Sequence, residues 1–435
     1  MSPVGVRRAV CALLACLLAG LLAGPVAPAA AHDVRVRHTL FGVHDGSGQS
    51  MALVHEGSVR LWDVGVRWLQ IEKTPGLYDW TRLDALVTAA QAAHVEVTYV
   101  AAMTPSFYAP LPSLPPDRLS HYRDFLTALM ERYRSFHGER GIAAYQVWNE
   151  ANISNFWTGT PHQMAQLTRT MDEVRDAVDP DAQVVSAPLT SRLPYQVKWL
   201  QRFEAQRLHG IPVWHYFDVA ALNLYPLPSY DGRPGTPEDA IAQLRSIREV
   251  MSKAGVPRSL PIWNTEVNYG LQTGVLAGHP ADPIPESRQA AYVIRTYLLN
   301  AANGVDRVFW YRFDMNTLPL SAGGGTLGNT MLSEPADHSR LTRAGRAYLL
   351  VQEWMQGRLK GSKGHGPCRT DRHGTYTCVV RGSSMTRRIY WNPLHHAHVR
   401  LAKHARHLQD ELGVVSGVKG GSSLRVGSEP VMVSR

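Results

Sequence analysis

Much that would mark a membrane, dinucleotide or metal protein is missing from this 435-residue chain. Beyond residue 24 no apolar run approaches the ~20 residues that a membrane-spanning helix requires. No glycine-rich phosphate turn follows the first strand pattern, so a dinucleotide site has no signal. No His-Glu-x-x-His or similar ligand spacing occurs between residues 36 and 357, and neither metal nor cofactor is implied. Basic residues are not interleaved with aromatics, which excludes nucleic acid as a partner. Beyond the leader there is no repeat of fixed period and no low-complexity tract. Cysteine is scarce as well, four residues in all.

Two of those cysteines, Cys11 and Cys16, fall in an N-terminal stretch that reads as an export signal. Arg7-Arg8 supply a positive start, residues 9–24 are almost wholly apolar, and Ala29-Ala30-Ala31 is a small-residue cleavage site before His32. Leu13-Leu14-Ala15-Cys16 resembles a lipoprotein box, but the mature end would then begin with another apolar run. The residues flanking Arg7-Arg8 suit twin-arginine export poorly. The expectation is a signal peptide over 1–31 and a secreted mature chain, extracellular or wall-associated. Cys368 and Cys378 remain, ten apart around Gly374 in a strand–turn–strand pattern. In an oxidising compartment they are expected to form one disulfide across a hairpin; two buried thiols are the alternative.

Charge is unevenly placed. Of the 45 Lys/Arg, 14 lie in residues 358–435 against four of the 36 acidic groups, a balance of +10; the rest of the chain carries 31 against 32. Seven histidines in the same segment add to the charge at acidic pH. A one-sided field of this kind predicts retention on an anionic cell-envelope polymer, weakened by salt and by charge reversal at Arg387, Arg388 and Arg400. A solvated surface with no partner is the plainer reading. His395, His396 and His398 read as a surface strand or loop rather than a metal site.

From residue 36 to 357 short apolar runs alternate with amphipathic stretches. Strands are expected at 37–43, 65–71, 95–102, 143–149, 183–188, 218–224, 261–266 and 306–313, with helices between them. Thr160-Pro161 opens one helix, with Met164, Leu167, Met171, Val174 and Val178 in one stripe and Asp179-Pro180 as its stop. Thr236-Pro237 opens another that ends at Gly255, and a third, over 285–303, ends at Gly304. Eight such alternations predict an α/β fold, an eight-stranded (β/α)8 barrel over 32–357, in preference to a doubly wound open sheet. Residues 358–435, rich in Gly, Ser, Arg and His, predict a small antiparallel β domain.

Two strand ends carry the chemistry. Ala144-Tyr145-Gln146-Val147-Trp148-Asn149-Glu150 ends an apolar run in an amide and a carboxylate, and Ile262-Trp263-Asn264-Thr265-Glu266 repeats the idea 116 positions on (266 − 150). A barrel brings such ends to one mouth, and a carboxylate pair is what glycosidic bond cleavage needs. Glu150 is the candidate proton donor and Glu266 the candidate nucleophile. Arg67 is the expected donor to Glu266, with Tyr225 offering a phenol to the same group; Asn149 is placed to bind a sugar hydroxyl and Trp310 to stack on a sugar ring. Singly, each has a plainer reading as cap, salt bridge, turn or core; together they fall at the ends of strands two, four, six, seven and eight.

The stretch Val66-Arg67-Trp68-Leu69-Gln70-Ile71-Glu72, then Pro75-Gly76-Leu77-Tyr78-Asp79-Trp80, Leu83-Asp84, Thr104-Pro105, Trp148-Asn149-Glu150 and Trp263-Asn264-Thr265-Glu266 resemble the retaining clan A glycoside hydrolases, family 39 and its relatives above all. The resemblance runs from about Thr39 to Gly357. It implies acid/base and nucleophile roles for Glu150 and Glu266, with Asn149 and Arg67 at their sides. One position departs from it. Clan members often carry His two residues before the strand-six Tyr, where this chain has Asn223, able to hydrogen-bond but not to carry charge. His44 and Asp45 are then candidates to line the sugar subsite, although Asp45-Gly46-Ser47-Gly48 is also an ordinary loop. The reading is a glycosidase acting on an oligo- or polysaccharide, the alternative a glycan-binding barrel that does not cut. The long loop Leu271 to Pro285 is expected to shape the cleft.

Overall fold

Eight short parallel strands, buried on both faces, form the centre of the computed structural model, which describes residues 33–226, 235–269, 284–314, 331–334, 337–361 and 366–435. They are β1 Phe41–Val43, β2 Ser58–Leu61, β3 Glu96–Ala101, β4 Ala144–Val147, β5 Gln183–Val185, β6 Ala220–Asn223, β7 Ile262–Val267 and β8 Arg307–Trp310. Their order in the sheet is β6-β7-β8-β1-β2-β3-β4-β5. Isolated parallel bridges Val185↔Val219 and Leu189↔Leu222 join β5 to β6 and bring the barrel round on itself. The expected export signal, residues 1–31, and residues 271–283 of the long loop after β7 lie outside the described residues.

Seven of these strands sit where the apolar runs place them; the second does not. Strand two is Ser58–Leu61, whereas residues 65–71 turn into the short helix Trp68–Ile71, followed by the hairpin Glu72–Thr74/Leu77–Tyr78. Glu72 fixes this excursion by accepting from the Trp68 indole N–H (2.5 Å), the Tyr108 hydroxyl (2.9 Å) and the Gly76 amide (2.8 Å).

Local chemistry explains the helices. Over Pro161–Val178 the Thr160 hydroxyl accepts from the Gln163 amide while Gln163 accepts from the Thr160 amide, a capping box with proline in the first turn. Thr236 and Asp239 do the same for Pro237–Lys253, and Gly255 and Gly304 follow the helix ends in left-handed conformation. Inside the barrel Ala144, Val185, Ala221, Trp263 and Phe309 form a packed layer drawn from five strands. Gly42 on β1 makes room for it, since a Cβ there would stand 2.5 Å from the Phe309 ring.

The C-terminal region forms a separate antiparallel sheet, and the N-terminal strand Val34–Arg35 joins it by pairing with Arg358–Leu359. One face of its strands Tyr376–Arg381 and Thr386–Trp391 carries Cys378, Val380, Ile389 and Trp391 into the main core against the barrel's helices. The other carries Tyr390, which packs with Leu401, Ala405, Val426 and Val433 in a second small core. Cys368 and Cys378 are directly opposed across two strands and form a disulfide. Among the described residues no helix is long and apolar enough to cross a membrane.

Candidate active site

The chain leaves β4 through a strained turn. Trp148 (φ 61°) and Glu150 (φ 35°) both adopt the left-handed region that side chains with a Cβ avoid, each at a cost on the order of 1–3 kcal/mol. Buried neighbours hold the turn. The Trp148 indole N–H donates to the Phe156 carbonyl at 2.7 Å, and its ring meets Trp157 edge-on. Asn152 donates to the Thr190 carbonyl (2.7 Å) and accepts from the Thr190 amide (3.1 Å), tying this loop to the one after β5.

On the other side of the mouth a bulge aims Glu266. In the β6–β7 register Leu222 pairs with Asn264 but Asn223 pairs with Glu266, so β7 carries one residue more than its neighbour. Such an insertion turns a side chain that strict alternation would send elsewhere. The register also puts Glu266 beside Asn223, whose amide reaches the other glutamate. Asn223 Nδ2 donates to Glu150 Oε1 at 3.2 Å, and its Oδ1 accepts from the Thr265 hydroxyl at 2.8 Å, which sets the amide's orientation. The two carboxyls, from β4 and β7, thus meet through one side chain of β6.

Glu266 holds the stronger donors. Arg60 on β2, fully buried, gives Nη1 to Glu266 Oε1 at 2.6 Å, Nη2 to Asn149 Oδ1 at 2.9 Å and Nε to Gln146 Oε1 at 2.6 Å. Tyr225 donates its hydroxyl to Glu266 Oε2 at 3.1 Å. Burial holds that phenol well above its ordinary pKa, with the Glu266 charge adding to the shift, so it remains a donor. Burial raises both carboxyls above the usual range. Arg192 and the Asn223 amide oppose the shift at Glu150, and Arg60 opposes it at Glu266.

Several expected partners stand elsewhere. The guanidinium on Glu266 belongs to Arg60, not Arg67. Arg67 begins the Trp68–Ile71 helix and lies over the Trp62 ring, 4.8 Å from its centroid. Trp310 ends β8 wholly buried near the Tyr269 ring and offers no face to a sugar. The aromatic nearer the mouth is Tyr311, whose hydroxyl donates to Asp63 at 2.5 Å. His44 is also fully buried and lines no subsite. Its Nε2 donates to the Thr265 carbonyl at 2.9 Å, and burial keeps the ring neutral by lowering its pKa well below the ordinary value. Asp45 closes its own loop by accepting from the Ser47 and Ser50 amides. Asn149, Asn223 and Tyr225 do reach the two glutamates or their holder.

Sequence reasoning missed Arg60, Gln146 and Arg192. The first two were signalled by a polar residue inside an otherwise apolar strand, which in a closed barrel has only the interior to face. Arg192, in the loop after β5, lies 5.6 Å over the Tyr225 ring and within electrostatic reach of Glu150; no local pattern marks it.

Replacing Arg60 with Met strands Glu266 in the interior and releases Asn149 and Gln146. Losing one partner of a buried ion pair is expected to lower the unfolding free energy by about 3–5 kcal/mol. Arg60→Lys, which keeps the charge but not the three-way fork, should fall between Met and wild type. Urea unfolding reads both, and an unchanged midpoint in Arg60→Met would refute a guanidinium that holds three elements together.

Comparison with known proteins bears on the fold. No family model matches the sequence. A β-xylosidase of Geobacillus stearothermophilus is 22% identical over 271 residues, 58% of this chain and 52% of that protein, so the chain spans about half the length of the curated relative it matches. Similar solved structures include a glucosidase from Croceicoccus marinus, with TM-score 0.66 and 13% identity over 92% of this chain and 96% of that one. A family 39 glycoside hydrolase from Bacteroides cellulosilyticus gives 0.64 and 16% over 91% and 81%. A β-xylosidase from Caulobacter crescentus gives 0.63 and 15% over 93% and 97%. The fold is that of these glycoside hydrolase structures.

Proposed function

We propose that this chain is a secreted, retaining glycoside hydrolase that cleaves O-glycosidic bonds of an oligo- or polysaccharide, with Glu150 as acid/base and Glu266 as nucleophile. The proposed organisation is a leader over 1–31, a catalytic barrel over 32–357 and a basic β domain over 358–435. In the same reading the basic domain meets an anionic polymer of the cell envelope. The observation that carries the catalytic assignment is the unequal treatment of two buried carboxyls at one mouth. Such a pair holds one proton between them near neutral pH. A guanidinium and a phenol on Glu266 favour its charged form, while among the described residues Glu150 accepts one amide N–H; these direct donors outweigh the burial that raises both carboxyls, and in this reading the shared proton belongs to Glu150.

In the first step a Glu266 oxygen attacks the anomeric carbon, the bond to the leaving oxygen breaks, and that oxygen takes the proton of Glu150. In the second, Glu150, now a carboxylate, takes a proton from water as the water oxygen attacks the same carbon and Glu266 departs. Retention requires carboxyl groups about 5–5.5 Å apart. The names of the relatives, β-xylosidase and glucosidase among them, point to the same reaction class. A screen of activated aryl glycosides, with Glu266→Gln as control, tests the reading. Retention of a polysaccharide without release of reducing ends would replace it with a binding barrel.

The pH profile supplies a second test. Glu150 must be protonated to donate, so its ionisation ends catalysis as pH rises and sets the basic limb of kcat/KM. Arg192 favours the ionised form and holds that limb down. Arg192→Leu is therefore expected to move the basic limb to higher pH and leave the acid limb, set by Glu266, in place. A basic limb that stays put would remove Arg192 from the surroundings that tune Glu150.

A further inference from the structure

The outer face of the C-terminal sheet holds a groove of about 910 Å³ in which arginines from four different strands meet: Arg369, Arg381, Arg388 and Arg400. Register explains the convergence. Arg369 pairs with Thr377 and Thr377 with Tyr390; Val379 pairs with Arg388 and Arg381 with Thr386. All of these side chains share the face opposite Cys378, Val380 and Ile389, which point at the barrel's helices. Arg400 comes from the ribbon Ala397–Arg400/Ser423–Val426, whose apolar residues build the second small core around Tyr390. A smaller cavity of about 230 Å³ shares Val379, Arg381, Arg388 and Ala402 and prolongs the groove toward Arg435.

Counter-charge is lacking there. Among the described residues none of the four guanidinium groups makes an ion pair, although arginines elsewhere in the chain are paired repeatedly. The acidic residue of the lining, Asp371, is engaged with its own turn, accepting from the His373 and Thr375 amides. Like charges gathered in a concave site repel one another, and their field attracts an anion. Guanidinium forks match carboxylate and sulfate, and the hydroxyls of Thr370 and Thr377 in the same lining suit a hydroxylated chain. Stacking of nucleobases is disfavoured because the aromatic of the lining, Tyr390, is only 5% exposed.

We propose that this groove binds an acidic polysaccharide, its regularly spaced carboxylate or sulfate groups held by Arg369, Arg381, Arg388 and Arg400. The choice of a carbohydrate over other polyanions rests on the glycosidase reading of the barrel; the groove and its charge do not. Binding here tethers the enzyme along a charged polymer while the barrel mouth stays open. Arg387, next in sequence to Arg388, takes no part, because it is buried and donates to the Gln356 carbonyl.

The experiment uses the full mature chain and measures Kd by calorimetry for polygalacturonate, heparin, neutral xylan and double-stranded DNA, at low and at about 0.15 M ionic strength. Expected are binding of polygalacturonate or heparin that weakens with salt, weaker or no binding of xylan and DNA, and a loss of about 10-fold or more per arginine in Arg388→Glu and Arg400→Glu. Comparison of the carboxylated with the sulfated polymer tells which anion the forks fit. Turnover of an aryl glycoside by these variants should be unchanged. If the reversals unfold, Arg388→Gln and Arg400→Gln carry the same test, with circular dichroism as the folding control. Acidic polysaccharide binding that survives the substitutions overturns the proposal, as does xylan bound as tightly as polygalacturonate. DNA bound more tightly than either acidic polysaccharide, and lost in the same variants, would make the groove a nucleic-acid site and overturn it too. Groove binding in a chain that turns over no glycoside would leave this site standing and sink the catalytic reading alone.

Discussion

Glu266→Gln should lower turnover of activated and unactivated glycosides alike by at least about 10⁴-fold, because on the proposed mechanism the group that forms the covalent bond is gone and neither leaving-group quality nor an added nucleophile replaces it. The amide matches the carboxylate in shape; its one oxygen still accepts from Arg60 and its NH2 can donate to the Tyr225 hydroxyl oxygen, so the barrel should still fold. A 2-fluoro glycoside of the right sugar should label the wild type at Glu266 and leave the variant unlabelled. Mass spectrometry of the digested protein reads the site of the label. Modification at another residue, or a variant within tenfold of wild type, would take the nucleophile's role from Glu266.

Glu150→Ala should behave differently. Substrates with poor leaving groups are expected to lose about 10²–10⁴-fold, since their departing oxygen needs a proton, whereas substrates with good leaving groups keep most of the first step. Azide should restore turnover and appear in the product as a glycosyl azide of retained configuration. The site left behind suits a small anion. The Asn223 amide N–H, 3.2 Å from Glu150 Oε1, remains as a donor, and the positive charge of Arg192 remains close by. Equal losses on both substrate types, with no response to azide, would remove Glu150 from the acid/base position.

Features that depend on neighbours in sequence were legible beforehand. Parallel barrel strands are covered on both faces, so they read as apolar runs, and seven could be placed this way. Helix starts at Thr160 and Thr236 and stops at Gly255 and Gly304 are set by bonds within one turn, and they fall where the residues imply. Strand two was misplaced for a physical reason. Val59-Arg60-Leu61-Trp62 and Val64-Gly65-Val66-Arg67-Trp68 are two apolar runs a few residues apart, each holding one arginine, and nothing local tells which of them is the barrel strand. A charged residue inside a strand signals a surface unless the strand belongs to a closed barrel with an acidic partner across its interior, and that partner lies 206 residues away.

By itself, then, the sequence determined a β/α alternation, two glutamates at the ends of apolar strands, a cysteine pair ten apart and a basic C-terminal segment. All of these are local facts of residue type and order. Tertiary structure decided which groups meet. Side chains alternate across a strand, so a one-residue difference in register decides whether Trp310 faces the core or a sugar, and whether Arg387 or Arg388 faces the groove. Glu266 reaches the mouth through a bulge on β7, and the two carboxyls are distinguished by what β2 and β6 bring to them. Register, bulge and ring closure arise from hydrogen bonding between strands far apart in the chain, and no run of neighbouring residues encodes them.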